Sequence, residues 1–319
     1  MSAARRKIGI IGAGHVGSHA ASELIAQNLV EEIVFVDTNR QKAVSQALDL
    51  EDAVVYHGKR TIVRSGDYSD FKDADFLVTA FKSDGHPVSE SQRMDSLQVQ
   101  IEAVKPIIGS IKKSGFSGII ISISNPADVI AHYIQHELSL PREKIFSTGT
   151  TLDSARLRTE LSAVFGYDAK SINAYVIGEH GETQSIPWSW AQIGGKPLLS
   201  LIRDNPRKYH SVDLGAIEKN VRERAFTIAG GKKCTEFGIG AALAETVKAV
   251  YGDEDRILPV SSLLEGEYGV TGVFASVPTK INRSGAAEIL SFDLTEKERS
   301  DFMHSTDFLN EHFQKALLL

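Results

Sequence analysis

Ile8-Gly9-Ile10-Ile11-Gly12-Ala13-Gly14-His15-Val16-Gly17 runs from an apolar stretch into three glycines in a G-x-G-x-x-G arrangement. The run Ile8 to Ile11 has no polar alternation, as expected of a strand buried on both faces. From Val16 to Leu29 the apolar residues Val16, Ala20, Leu24 and Leu29 follow helical spacing, so the glycines mark a strand-to-helix turn. In such a turn Gly12 permits the tight bend, Gly14 lets backbone approach a pyrophosphate, and Gly17 allows close helix–strand packing. The helix start adds free N–H groups and a positive dipole end for an anion. A glycine-rich turn without a ligand would share this pattern, so context decides. Ile33-Val34-Phe35-Val36 reads as the next strand, and Asp37 follows it, twenty residues after Gly17. An acid there accepts hydrogen bonds from ribose hydroxyls and repels a 2′-phosphate, which favours NAD over NADP. Arg40, close in sequence, is the counter-argument.

Working outward, Phe76-Leu77-Val78-Thr79, Ile119-Ile120-Ile121-Ser122-Ile123 and Ile145-Phe146-Ser147 read as further buried strands. Repetition of β-α-β implies an α/β fold that begins with a doubly wound parallel sheet of the Rossmann type. Beyond about residue 149 the texture changes. Ser154 to Phe165, Leu214 to Thr227 and Ala241 to Tyr251 have helical patterning, interleaved with strand-like pieces such as Ser171 to Ile177 and Gly269 to Phe274. This predicts a cofactor-binding domain over 1–148 and an α+β substrate domain over 149–319. Thr295 to Phe313 reads as a charged amphipathic helix with Asp293 or Thr295 near its cap.

The chain has 319 residues, 42% hydrophobic and 24% charged, with a net charge of -6. Those proportions are typical of a globular protein, and the mild negative charge argues against a nucleic-acid surface. The single cysteine, Cys234, excludes an internal disulfide framework and fits a reducing compartment. No continuous apolar core of a signal peptide and no run near the roughly 20 residues of a membrane span is evident. A soluble, cytoplasmic protein is expected.

Chemistry enters at Val176-Ile177-Gly178-Glu179-His180-Gly181 and, upstream, Thr151-Leu152-Asp153-Ser154-Ala155-Arg156. A single histidine is more often a satisfied core residue. With a carboxylate to fix its tautomer and stabilise its charged form, it trades a proton near neutral pH. Asp153 is the candidate partner, with helix capping as the plainer role. Arg156 lies three residues on, and its planar fork suits bidentate pairing with a substrate carboxylate; a surface salt bridge to Glu160 is the alternative.

These motifs resemble the L-lactate/malate dehydrogenase superfamily over almost the whole chain: Gly12 to Gly17, Asp37, Ser124-Asn125-Pro126, Gly149 to Arg156, and Gly178 to Gly181. The resemblance implies an NAD-dependent L-2-hydroxyacid dehydrogenase that works as a homodimer or homotetramer on a small 2-oxo or 2-hydroxy acid, without nucleic acid, membrane or metal. It makes His180 the proton donor and acceptor, Asp153 its partner and Arg156 the carboxylate binder. Asn125 would hold the substrate oxygen beside the nicotinamide, Thr235 would stand beside the substrate, and Ile239 would pack on the nicotinamide. Gly12, Gly14, Val16, Gly17, Asp37, Thr79, Ala80, Asn125 and Ile239 would line the cofactor.

After Thr79-Ala80, the polar stretch Phe81 to Arg93 has the composition of a mobile loop. In the family such a loop closes on the substrate and carries an arginine that polarises the carbonyl, a role matched by Arg93. The loop is longer than in typical members and holds no arginine ahead of Arg93, as malate recognition would want. It lacks the short Gln-containing pattern of many lactate enzymes, and with Gly181-Glu182-Thr183-Gln184 it is similar to the L-2-hydroxyisocaproate dehydrogenases. That favours 2-oxo acids with aliphatic side chains such as 2-oxoisocaproate, with lactate and malate dehydrogenase as alternatives and a non-catalytic NAD-binding sensor as the rival from another class. His132 and His136, four apart, are read as a solvated helix face rather than a metal pair. Arg158 matches a sugar-bisphosphate site of allosteric relatives, but Asn173 replaces the companion histidine.

Overall fold

The computed structural model describes residues 5–82 and 97–319. Arg93 and the rest of the expected lid lie outside the described residues. The first half runs β1 (Lys7–Ile11), α1 (His15–Ala26), β2 (Glu32–Val36), α2 (Arg40–Val54), β3 (Ile62–Ser65), β4 (Phe76–Thr79), α3 (Leu97–Ser114), β5 (Ile119–Ser122), α4 (Ala127–Leu138) and β6 (Ile145–Ser147). The second half runs α5 (Thr151–Phe165), β7 (Ile172–Asn173), β8 (Gln192–Ile193), β9 (Lys196–Pro197), α6 (Leu198–Asp204), α7 (Leu214–Lys232), α8 (Phe237–Gly252), β10 (Arg256–Glu265), β11 (Thr271–Asn282), β12 (Gly285–Ile289) and α9 (Glu296–Leu318).

Among the described residues these strands form a nine-stranded sheet in the order β12-β11-β10-β6-β5-β4-β1-β2-β3 and a small sheet β7-β8-β9. From β6 to β3 every pairing is parallel. The strand order reverses between β1 and β4, and in open α/β sheets a crevice opens there at the carboxyl ends of the strands. The pleat sorts side chains between two cores. Ile8, Ile10, Ile33, Phe35, Phe76 and Val78 face a layer made by α1, α2 and α8. Ile11, Val34, Leu77 and Ile120 face α3, α4 and α9. Both faces are covered, which is why these strands read as unbroken apolar runs. A third core joins α5 and α7 to the small sheet through Leu157, Leu161, Ile172, Val176 and Val221.

The antiparallel strands β10 and β11 extend the parallel sheet, because Ser261 of β10 pairs with Ser147 of β6. Thr295 caps α9: its side chain accepts from the Glu298 N–H while the Glu298 carboxylate accepts from the Thr295 N–H.

Two expectations need correction, and one alternative falls away. Only Ile172–Asn173 of the stretch Ser171 to Ile177 forms a strand. Downstream, the Val176 N–H donates to the Ser154 hydroxyl at 2.9 Å and Ile177 bridges to Ser185. His132 is not on a solvated face. It is buried at 5% exposure and stacked between Phe274 and Phe313 with centroid distances of 4.9 and 3.4 Å, while His136 is exposed. Glu160 pairs with Arg224 at 2.7 Å rather than with Arg156. No helix among the described residues is long and apolar enough to cross a membrane.

Candidate active site

The turn after β1 is shaped by contact as much as by conformation. Gly12 has φ of +106°, and a Cβ there would lie 2.6 Å from the Ala80 carbonyl. A Cβ on Gly17 would collide with the Gly12 carbonyl, so helix and strand meet backbone to backbone. Gly14 is different: its Cβ would meet nothing nearer than the Lys42 ammonium at 3.8 Å. The space above Gly14 is therefore open on the side where α1 begins, and no side chain caps that helix. Uncapped first-turn N–H groups, an open glycine and a nearby ammonium fit a pyrophosphate. Lys42 was not singled out from the sequence, since nothing in its spacing ties it to Gly14.

Asp37 stands at the end of β2 as expected. One carboxylate oxygen accepts from the Ala13 N–H at 2.7 Å and the other from the Asn39 N–H at 2.8 Å. The residue is half-buried, so it fastens the glycine turn and still presents lone pairs to the cleft. Among the other cofactor candidates, Val16 and Ile239 pack against the core on the α1 side. The Thr79 hydroxyl is engaged within the sheet, 3.0 Å from the Ser122 hydroxyl. Its carbonyl accepts from the Ile123 N–H at 2.9 Å and the residue is fully buried, so Thr79 is held within the sheet. Asn125 follows β5 and is exposed at the same end of the sheet as Ala80, and Thr235 is half-buried between α7 and α8.

His180, Asp153 and Arg156 are brought into direct contact. Asp153 lies in the first turn of α5, yet it does not cap that helix. One oxygen meets His180 Nδ1 at 2.5 Å and the other accepts from Arg156 Nη1 at 2.7 Å. Side-chain exposures of 13% for His180, 4% for Asp153 and 6% for Arg156 put all three in a water-poor setting, where charge-assisted bonds are strong. With Nδ1 on the carboxylate, His180 offers Nε2 as its other proton-bearing atom.

The support around this trio joins the quoted motifs to Asp128, Ser276 and Ser305, which no motif in the sequence marks. The start of α5 is stitched to the strand-like segment by the Thr150 hydroxyl, which donates to the Val176 carbonyl. Gly178 exchanges backbone bonds with Ser276 of β11. The Glu179 N–H donates to the Ser305 hydroxyl at 2.7 Å. The His180 N–H donates to Asp128 Oδ2 at 2.9 Å. Asp128 is 2% exposed, and burial pushes its carboxyl up to about 6, against the opposing influence of Ser261 and of the His180 N–H, with His180 lowering it further and Glu179 raising it. It lies two residues after the Asn125-Pro126 bond, and that proximity to a candidate site residue was the available signal.

The chain matches two family models: the lactate/malate dehydrogenase NAD-binding domain over residues 6–147 and the lactate/malate dehydrogenase alpha/beta C-terminal domain over residues 150–318. It is 39% identical over 313 residues to L-lactate dehydrogenase 1 of Bifidobacterium longum, covering 98% of each chain. Among solved structures it is similar to the ligand-bound minor L-lactate dehydrogenase of Enterococcus mundtii, with a TM-score of 0.93 and 32% identity over 98% of this chain and 99% of that one. The malate dehydrogenase of Cryptosporidium parvum is similar with a TM-score of 0.92 and 25% identity, over 99% and 100% of the two chains. Backbone shape therefore does not separate lactate from malate enzymes.

Proposed function

Given that the chain belongs to the lactate/malate dehydrogenase family, and so is an NAD-dependent oxidoreductase of 2-hydroxy acids, we propose that it interconverts monocarboxylic L-2-hydroxy acids with their 2-oxo acids, using His180, Asp153 and Arg156. The observation that carries this reading is the buried contact of the Asp153 carboxylate with both His180 and Arg156. NAD, when bound, supplies or accepts the hydride at its nicotinamide. Asp37 holds the ribose end and the Gly12–Gly17 turn the pyrophosphate.

Arg156 pairs with the substrate carboxylate through donors not engaged by Asp153. His180 Nε2 delivers its proton to the carbonyl oxygen during reduction and takes it back from the hydroxyl in the reverse direction. Asp153 stabilises the imidazolium before transfer and keeps the ring oriented. Asn125, Thr235 and Ile239 position substrate and cofactor, and Arg93 polarises the carbonyl. The cofactor and substrate halves join at 148/149.

Substrate preference rests on two observations. Relatives named L-lactate dehydrogenase support pyruvate and lactate. The segment Lys82 to Gln92 contains no arginine, so a second substrate carboxylate would enter without a bidentate partner and carry a desolvation penalty. An aliphatic side chain instead gains roughly 0.8 kcal/mol per buried methylene. On that ground oxaloacetate ranks last, and 2-oxoisocaproate at least rivals pyruvate. The test is kcat/KM for the three acids at saturating NADH. An oxaloacetate preference refutes the monocarboxylate reading; a strong pyruvate preference leaves it standing and refutes only the longer side chain.

A homo-oligomer is the assembly we infer, supported by Leu48, Val55 and Tyr56 on and just after α2, which are 57%, 78% and 90% exposed. Light scattering of the purified chain measures this directly.

A further inference from the structure

Where α8 begins, the chain gathers three metal-ligating side chains of different chemistry. Packing of α8 against α1 places Glu236, which precedes α8, beside His15 and His19 of α1, with Phe237 edge-on to His19 at 4.9 Å. His15 Nδ1 lies 3.4 Å from Glu236 Oε2, and Cys234 Sγ lies 3.5 Å from the same oxygen. The three ligand atoms all fall within 4.8 Å of one another. We propose that His15, Cys234 and Glu236 form a binding site for a zinc-class divalent cation.

The geometry supports it edge by edge. Tetrahedral zinc takes imidazole and carboxylate at about 2.0–2.2 Å and thiolate at about 2.3 Å, which sets ligand-to-ligand edges of roughly 3.3–3.7 Å. The two edges that share Glu236 Oε2 already have that length. The His15–Cys234 edge falls within 4.8 Å, and the His15 side chain is 81% exposed, so a small turn of the ring adjusts it. His19 Nδ1 is 3.3 Å from the same carboxylate oxygen but also 2.8 Å from the His15 carbonyl. It is thereby a neighbour of the site rather than a fourth ligand, and water completes the tetrahedron.

The Glu236 carboxylate is divided: Oε1 pairs with Lys232, while Oε2 faces the histidines and the thiol. Lys232 and Lys82, both close enough to act on Cys234, repel a dication and hold the affinity below that of closed structural zinc sites. The cation replaces the thiol proton, which leaves to solvent. No step of the hydride-transfer chemistry uses it. Its effect is mechanical, since Thr235 lies between two of the ligands and the cation would tie that segment to the cofactor turn.

The single cysteine makes the experiment clean. Tag-free protein is titrated with Zn²⁺ by calorimetry, the alkylation rate of Cys234 is followed with and without Zn²⁺, and Co²⁺ is used as an absorbance probe for thiolate coordination. The expected result is one saturable site per chain, alkylation slowed at least tenfold, and a thiolate-to-cobalt band. His15→Ala and Glu236→Gln should each weaken Zn²⁺ binding at least tenfold. His15 is exposed, so its variant is the decisive one. The proposal is overturned if no saturable site appears, or if His15→Ala binds Zn²⁺ as tightly as the wild type.

Discussion

Asp128 and His132 stand one helical turn apart on the buried side of α4, and burial drives their protonation in opposite directions. Asp128 rises from an ordinary 3.8 to about 6, and His132 falls from 6.5 to about 3. Burial disfavours the charged form of each, which for an acid means holding its proton and for a base means losing it.

The consequence for stability has opposite signs. Asp128 contributes stability that is complete below about pH 4 and is lost as pH rises through 6. His132 contributes stability that is complete above about pH 6.5 and is lost as pH falls toward 3. Between pH 4 and 6 the two oppose each other. Asp128→Asn leaves His132 alone, so stability should fall more steeply on acidification than in the wild type, by up to about 1.4 kcal/mol per pH unit. His132→Leu should shift the slope the other way. Urea unfolding of the three proteins at pH 4.5, 5.5 and 6.5 measures this, and parallel profiles would refute it.

His180→Ala should lower turnover by about 10² to 10⁴ while NADH affinity stays near the wild-type value, because the glycine turn and Asp37 make their contacts elsewhere. Single-turnover kinetics with fluorescence titration of NADH separates the two quantities. Near-normal turnover would remove His180 from the mechanism.

For Arg156→Lys the expectation is a higher KM and a lower kcat together. A point charge cannot hold a carboxylate in one plane. The same change also disturbs the Asp153 oxygen that Arg156 engages at 2.7 Å, one atom pair from the His180 contact. An unchanged KM for every 2-oxo acid would place Arg156 outside the pocket.

Wild-type enzyme should prefer NADH to NADPH, and Asp37→Ser should narrow that ratio. Loss of ribose contact and of repulsion toward a 2′-phosphate both act in this direction. Because Asp37 also accepts from the Ala13 N–H, NADH affinity should fall as well. Equal wild-type kcat/KM for the two cofactors would contradict the assignment.

Much of this was legible in the chain. The runs at Ile8, Ile33, Phe76 and Ile119 are apolar because both faces of the sheet are covered, and that burial is local enough to read. Strand β3, Ile62–Ser65, escaped notice because only Val63 is buried and Arg64 points to Glu32 and Asp70. Strand β10 was hidden by Pro259 and the serines after it, which are buried only because β11 and β6 flank them. The trio was readable from residue type and spacing. Its scaffold was not: Asp128, Ser276 and Ser305 come from elements far apart in sequence, and only folding brings them to Gly178–His180.

The pairing of Ser261 with Ser147 carries the sheet across the junction between the halves, and Asp128 from the first half grips the backbone of His180 in the second. Among the described residues these two contacts tie the halves to each other through backbone as well as side chain. Cutting the chain there would separate His180 from the Asp128 carboxylate that accepts from its backbone N–H, so the segment bearing His180 depends on the first length of polypeptide for its footing.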